Sequence, residues 1–165
     1  MQTQINANMG NTNIYGAAFE GKWNLTSHLT IASDLTYTNA KYLEGYGPLP
    51  SILPFFGTNM LQYKKDKLSI GIKNRFSSSK NPEDYSLGGE DGLDETPTQE
   101  NSQGEIDFVG TPSWSIFNLS ASYAYSEQIL FRGGIENVFD LHYREFASGI
   151  SASGRSLMLG VQLEF

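Results

Sequence analysis

The side chains that most often do chemistry in proteins are few in this sequence, and they do not form a known catalytic pattern. Cysteine is absent, and the only two histidines, His28 and His142, lie far apart along the chain. The absence of cysteine excludes thiolate metal sites, disulfide bonds and cysteine nucleophiles, and two distant histidines do not have metal-site spacing. Serine, histidine and aspartate are present, but no pattern in the sequence indicates a catalytic nucleophile with its base. We therefore predict no catalytic residue, no metal ligand and no cofactor, and we expect that the protein is not an enzyme.

An acidic stretch is the most unusual feature of the composition. The chain has 11 basic and 18 acidic residues, with a net charge of −7, which argues against nucleic acid as a partner. Half of the acids lie between Asn81 and Pro112, where there is no base: Glu83, Asp84, Glu90, Asp91, Asp94, Glu95, Glu100, Glu105 and Asp107. They do not match EF-hand spacing. A lid or cation-attracting surface is one interpretation, and a solvated, mobile loop is the preferred one.

Four side chains are candidates for contact with an anionic substrate. Arg75 and Arg132 lie within predicted strands, whereas His142 and Arg144 lie in the last long connection. A guanidinium group binds a carboxylate through two parallel hydrogen bonds, so arginine suits an anionic ligand. For Arg75 and Arg132 the preferred interpretation is a structural role, with Glu136, among the charges that line one face of a sheet.

A series of amphipathic strands must position these side chains. From Leu157 to Phe165 every odd position is apolar, and the even positions are mostly small or polar. Alternation with a period of two indicates a strand with one apolar face. The same pattern predicts seven strands, at residues 12–25, 28–41, 53–64, 67–79, 113–125, 129–140 and 155–165. Residues 2–8 are a candidate for an eighth, short strand.

Short and long connections alternate between these strands. The connections at 26–27, 65–66 and 126–128 are short, whereas those at 42–52, 80–112 and 141–154 are long. Outer-membrane barrels have short periplasmic turns, long extracellular loops and aromatic girdles at both interfaces. Aromatic residues near the strand ends are candidates for these girdles: Trp23, Tyr37, Tyr42, Tyr63, Phe76, Trp114, Tyr123, Tyr125, Phe139 and Tyr143. The sequence therefore favours an all-β, antiparallel, up-and-down transmembrane β-barrel segment of about seven or eight strands, in contact with outer-membrane lipid, over a soluble sheet with one solvated face and one core face.

The last third of the chain contains an ordered set of motifs beyond simple alternation. These motif residues are Asn137, Phe139, Asp140, Tyr143, Gly154 and Arg155. Their order resembles the C-terminal end of TonB-dependent outer-membrane receptors. In that family an Asn-hydrophobic-Phe-Asp segment with a nearby tyrosine ends the penultimate strand, and a Gly-Arg pair opens the last one. The terminal Gly160, Leu163 and Phe165 resemble the signal that the barrel assembly machinery recognises. Upstream the match is looser, since Ala18 stands where the family usually has glutamate.

The resemblance implies a larger protein and its function. Residues 1–165 would be the C-terminal segment of a receptor barrel, which in this family has 22 strands, and the plug domain and N-terminal strands would be absent from this sequence. The implied function is uptake across the cell outer membrane of a ferric siderophore or another scarce, bulky nutrient, with energy from TonB. The implied partners are the remaining barrel strands, the plug, TonB through the plug, and the barrel assembly machinery. Arg155 is expected to be structural.

Two other interpretations fit the alternation of side chains. One is a self-contained eight-stranded outer-membrane barrel with a structural or adhesive role, in which residues 2–8 supply the eighth strand. The other is a soluble β-barrel that binds a small ligand. The fragment interpretation is preferred, and seven strands alone are not expected to fold usefully, because two unpaired sheet edges in lipid would be costly.

Overall fold

The computed structural model describes residues 11–42 and 47–165, which form nine strands and two single-turn 3₁₀ helices. The candidate strand at residues 2–8 lies outside the described residues. The strands are β1 (Thr12–Asn24), β2 (Leu29–Tyr42), β3 (Phe55–Lys65), β4 (Leu68–Ser77), β5 (Thr98–Glu100), β6 (Ile106–Phe108), β7 (Trp114–Ala124), β8 (Ile129–Glu136) and β9 (Ser156–Leu163). The 3₁₀ helices are Pro82–Asp84 and Leu93–Glu95. None of the helices in these two ranges is long and apolar enough to cross a membrane.

Seven of the strands form one open antiparallel sheet in the order β1-β2-β3-β4-β7-β8-β9. Neighbouring strands in this sheet are also consecutive along the chain, except β4 and β7. The chain between β4 and β7 contains β5 and β6, which form a separate hairpin. The predicted all-β, up-and-down architecture is confirmed. The sheet does not close into a barrel within the described residues.

One predicted strand, at residues 129–140, was too long. Strand β8 ends at Glu136, because Asn137 has φ 47° and Asp140 has φ 54°. Both values lie in the left-handed region, which cannot continue an extended strand. These residues instead form the turn that begins the connection to β9.

The register of the sheet collects most of the large apolar side chains on one face. A continuous row of paired residues crosses all seven strands, and it consists of Trp23, Ile31, Leu61, Ile72, Leu119, Ile135 and Leu157. The charged residues Glu20, Asp34 and Arg75 share the opposite face. In the part of the chain that the structure describes, only three apolar side chains are buried, namely Ala40, Tyr85 and Ile116. The apolar face is therefore uncovered, as a wall that contacts lipid requires.

A short polar ladder interrupts this apolar face. The Ser33 hydroxyl donates to Asn59 Oδ1 at 2.7 Å, Asn59 Nδ2 donates to Asn74 Oδ1 at 3.4 Å, and Asn74 Nδ2 donates to Ser115 Oγ at 2.8 Å. A polar group without a hydrogen bond is costly in a hydrocarbon environment. The ladder satisfies these four side chains with each other, so they are compatible with a lipid-facing surface.

Aromatic side chains lie at both ends of the apolar face. Phe55 and Phe76 pack at 5.3 Å near the long loops, and Tyr125 and Phe131 pack at 6.4 Å near the short turns. Three of the predicted girdle residues do not belong to these groups. Tyr42 and Trp114 lie on the polar face, as their register positions show, and Tyr143 packs against Trp114. Alternation along β2 and β7 places Tyr42 and Trp114 on the polar face, and Tyr143 lies in a loop, so aromatic type alone does not identify a girdle residue.

Candidate functional site

Three long loops leave the same end of the sheet. We define the first loop as residues 47–54, before β3, the second loop as residues 78–113, between β4 and β7, and the third loop as residues 137–155, between β8 and β9. Tight turns connect the strands at the opposite end. Because the strands alternate in direction, the three loops meet, and three of the four predicted substrate-contact residues lie in or beside them.

The base of the second loop is folded, so the preferred interpretation as a mobile loop was wrong for this part. Lys80 and Thr111 exchange backbone hydrogen bonds at 2.9 and 3.0 Å, and the Tyr85 hydroxyl lies 2.6 Å from Thr111 Oγ1. Burial raises the pKa of the Tyr85 phenol above its ordinary value, and the hydrogen bond to Thr111 partly opposes that effect. Most of the loop's acids remain exposed, including Glu90, Asp94 and Glu100.

Gly110 allows the two ends of the second loop to approach each other. Its φ is 74°, and a Cβ at this position would collide with the backbone carbonyl oxygen of Lys80. Gly110→Ala is therefore expected to weaken the Lys80–Thr111 hydrogen bonds by more than the roughly 1–2 kcal/mol that left-handed backbone costs an alanine. Faster hydrogen exchange of the Lys80 and Thr111 amides would measure this effect.

Gly89→Ala is the matched control for this substitution. Gly89 has φ 83°, but nothing lies within 4 Å of the position of its Cβ. Alanine at position 89 therefore has the same cost of a left-handed backbone as alanine at position 110, but its Cβ does not collide with another atom. Equal exchange of the Lys80 and Thr111 amides in the two variants would show that close packing at Gly110 does not matter.

A buried ion pair lies inside the second loop. Lys80 Nζ donates to Asp91 Oδ2 at 2.7 Å, and each side chain is only 1% exposed. The ammonium group also lies over the rings of Tyr85 and Phe146, at 5.1 and 4.2 Å from their centroids. The sequence analysis did not identify this pair. Its only signal was a single lysine at the edge of a long acidic stretch.

A cavity of about 320 Å³ lies between the second and third loops. Its lining includes Trp114, Tyr143, His142 and Arg144, and the Trp114 and Tyr143 ring centroids are 4.5 Å apart. Arg144 Nη1 donates to the backbone carbonyl of Glu95 on the second loop. Two of the predicted substrate-contact residues, His142 and Arg144, therefore meet in a cavity with an aromatic wall.

Arg75 lies near this cavity but does not present a free charge. Its Nη2 forms a 2.9 Å ion pair with Glu145 Oε1, and its guanidinium lies 5.6 Å from the Trp114 ring centroid. Arg75 and Glu145 line a neighbouring cavity of about 380 Å³. Arg132 lies elsewhere, on the polar face of β8, where it is exposed and pairs in register with Ser122 and Gly160. The structure thus places Arg75, His142 and Arg144 around Trp114 and leaves Arg132 apart.

The family-motif residues of the third loop mostly form its two ends. The Asn137 side chain donates to the carbonyls of Leu141 and Ser153 at 2.9 and 3.3 Å and accepts from the Leu141 amide at 3.0 Å. Asp140 Oδ1 accepts the Arg155 amide at 2.7 Å. These contacts bring the start of the loop to its end.

The remaining motif residues lie around this turn. A Cβ at Gly154 would come within 2.8 Å of Asp140 Oδ1, so the absence of a side chain permits the close approach. Arg155 Nη1 donates to the Val138 carbonyl at 3.4 Å. Phe139 is exposed and packs edge-on against Phe117 at 5.8 Å. Tyr143 belongs to the cavity instead. These contacts support a structural role for Arg155.

The three predicted assembly-signal residues lie in or just beyond β9. Gly160 lies on the polar face opposite Arg132, Leu163 lies on the apolar face opposite Ile129, and Phe165 follows the strand and is fully exposed. Their recognition by the assembly machinery stays a prediction. Within residues 11–42 and 47–165, no group of three or more histidine, aspartate or glutamate side chains is arranged to hold a metal ion.

Comparison with solved structures supports the same fold. The chain matches a copper transporter, OprC, at 20% identity and a TM-score of 0.70, covering 93% of this chain and 24% of that one. It matches the ferric yersiniabactin uptake receptor FyuA from Yersinia pestis at 13% identity and a TM-score of 0.70, covering 100% and 25%. It matches the ferric-catecholate import receptor Fiu from E. coli K12 at 15% identity and a TM-score of 0.64, covering 93% and 21%. The chain therefore spans about a quarter of the length of these structures.

Comparison with protein families assigns the chain directly. No curated protein matches it. A family model described as "TonB dependent receptor-like, beta-barrel" matches residues 2–138, which is most of the chain. Together with the seven-stranded up-and-down sheet and its uncovered apolar face, this match shows that the chain belongs to the TonB-dependent receptor β-barrel family.

Proposed function

We propose that this chain is the C-terminal barrel segment of an outer-membrane receptor that imports a ferric chelate or another scarce, bulky nutrient. The remaining strands and a plug domain complete the barrel, and TonB supplies energy through the plug. The observation that carries the proposal is the one-layer sheet, apolar on one face and charged on the other, in a chain of the TonB-dependent receptor family.

The uncovered apolar face favours this proposal over the two alternatives. A soluble β-barrel would have to bury the row of side chains from Trp23 to Leu157, which the described sheet leaves open. A self-contained barrel would have to join β1 to β9. The similarity to segments of much longer barrels instead favours a wall with further strands on both sides. The family is one of receptors and transporters, not of enzymes.

The cavity between the second and third loops is the proposed substrate-contact site. Arg144 and His142 offer hydrogen-bond donors beside the Trp114–Tyr143 aromatic wall, and Arg75 lies behind Trp114. Donors and aromatic rings together suit an anionic, ring-bearing chelator. The solved structures of similar fold include receptors for ferric catecholate and ferric yersiniabactin, which supports a metal chelate as the substrate class.

Uptake measurements test the function. Deletion of the chromosomal gene is expected to abolish uptake of at least one radiolabelled ferric chelate, and restoring the gene is expected to recover it. A protonophore is expected to stop uptake but to leave surface binding, because TonB uses the proton gradient. Uptake that continues in the presence of the protonophore would contradict energy coupling, and an inner-membrane location for the protein would contradict the receptor assignment.

Substitution of two arginines tests the site within the same assay. Arg144→Gln removes a charged donor from the cavity and is expected to raise the apparent Kd for the chelate by about tenfold. Arg132→Gln, the matched control, removes the same side chain from the polar face of β8 and is expected to change binding little. Equal effects of the two substitutions would show that the cavity is not the contact site.

A further inference from the structure

The buried Lys80–Asp91 pair is unusual for a loop. Removing two charges from water costs several kcal/mol for each ion, and a pair persists only where further hydrogen bonds satisfy it. Asp91 has such bonds, because its Oδ1 accepts the Ser51 amide at 2.6 Å and its Oδ2 accepts the Ser86 amide at 3.4 Å as well as Lys80 Nζ. The site is therefore built around the pair and is not an incidental surface contact.

Each of the three loops contributes to this one site. Lys80, Tyr85 and Asp91 come from the second loop, Ser51 comes from the first loop, and Phe146 comes from the third. The Phe146 ring covers the ammonium group at 4.2 Å and packs edge-on against Tyr85 at 6.0 Å. Ser51 has φ 62°, a conformation that a serine rarely adopts, and the hydrogen bond that its backbone amide donates to Asp91 Oδ1 supports it.

We propose that Lys80 and Asp91 form a clasp that couples the three loops, so that they open and close as one unit. Opening the second loop alone removes Lys80 from Phe146 and Asp91 from Ser51, which leaves the other two loops without their buried contacts. Opening the first loop alone leaves Asp91 without its shortest hydrogen bond. Because a buried ion pair is stable only where further hydrogen bonds and contacts satisfy both charges, partial opening is disfavoured relative to full opening. The clasp depends only on contacts among the three loops and does not depend on which substrate the protein takes.

Hydrogen exchange in the Asp91→Asn variant tests the clasp. The protein is expressed from its chromosomal locus, purified from membranes in detergent, and followed by mass spectrometry of peptides from each loop. Loss of the ion pair is expected to speed amide exchange by about tenfold or more in all three loops, including the Ser51 amide and the residues around Phe146. Asp94→Asn is the matched control, because Asp94 is an exposed acid of the same loop, and no loop is expected to change.

The pattern of exchange among the loops decides the outcome. Faster exchange confined to the second loop would overturn the proposal, since the pair would then be a local brace. If Asp91→Asn does not give folded protein, Phe146→Leu removes the ring over Lys80 and keeps every hydrogen bond of the pair. That variant is expected to speed exchange by a few fold in the first loop, which Phe146 itself does not hydrogen-bond. Unchanged exchange at Ser51 in Phe146→Leu would equally overturn the proposal.

Discussion

Leu159→Arg is expected to lower the free energy of unfolding by about 2–4 kcal/mol, the cost of an arginine near the bilayer midplane on the lipid face of an outer-membrane barrel. Leu159 lies in the middle of β9, pairs with Gly133 on the apolar face, and is 78% exposed in the open sheet. Its side chain is therefore expected to contact lipid and no protein core. Chemical unfolding of the protein in lipid vesicles measures the difference.

The neighbouring residue offers a matched control. Met158 is also large, apolar and exposed, but it lies on the opposite face of the same strand, opposite Gly134. Met158→Arg places the same charge one residue away on the side that carries Arg132 and Glu136, where water is expected. We expect its cost to be below about 1 kcal/mol. Equal costs for the two variants would mean that the assignment of the faces is wrong.

The seven-stranded sheet could be predicted from the sequence, because each strand repeats the alternation of apolar and polar side chains several times. Leu157, Leu159 and Val161 show the alternation within one strand, and the short links between strands restrict which strands become neighbours. A strand with one apolar face has only one favourable orientation in lipid, since a register shift of one residue would expose the polar face. Local alternation therefore predicted the strands and their faces, and the short links restricted the order of the strands.

The loops could not be predicted in the same way, because their contacts join residues that are distant in sequence and have no period. Asp91 meets Lys80 within its own loop, but the Ser51 amide and the Phe146 ring come from two other loops. Trp114 showed the same difficulty on a smaller scale. Its aromatic type predicted a lipid-facing girdle, whereas its register position in β7 places it on the polar side, where it contacts Arg75 and Tyr143. Residue type alone did not reveal these tertiary partners.

The third loop contains both a local sequence pattern and contacts between residues that are distant in sequence. Its motif could therefore be recognised in the sequence, but its geometry could not. The order of Asn137, Asp140, Gly154 and Arg155 can be read directly in the sequence. The left-handed backbone at Asn137 and Asp140, which ends β8, becomes evident only when the side chains are seen to bind the other end of the loop. Asparagine and aspartate tolerate that backbone better than most residues do, since their short polar side chains form local hydrogen bonds.

Asn137→Ala is expected to destabilise the third loop by roughly 2–4 kcal/mol. Asn137 is 3% exposed, and its side chain makes three hydrogen bonds that an alanine cannot make. The carbonyls of Leu141 and Ser153 would lose a donor and the Leu141 amide an acceptor, and each lost hydrogen bond costs about 0.5–1.5 kcal/mol. The left-handed backbone would add further strain, because alanine disfavours φ 47°. Exchange of the Leu141 and Arg155 amides measures the opening of the loop.

Asn137→Gly separates the two causes of this loss. Glycine also removes the three side-chain hydrogen bonds, but it adopts the left-handed backbone without strain. Its cost is therefore expected to be smaller than that of alanine by about 1 kcal/mol. A glycine variant as stable as the natural protein would show that backbone conformation, and not the side-chain bonds, is what position 137 requires. If the alanine and glycine variants lose the same amount of loop stability, the hydrogen bonds account for the whole effect. Asparagine at this position then serves to hold the two ends of the third loop together.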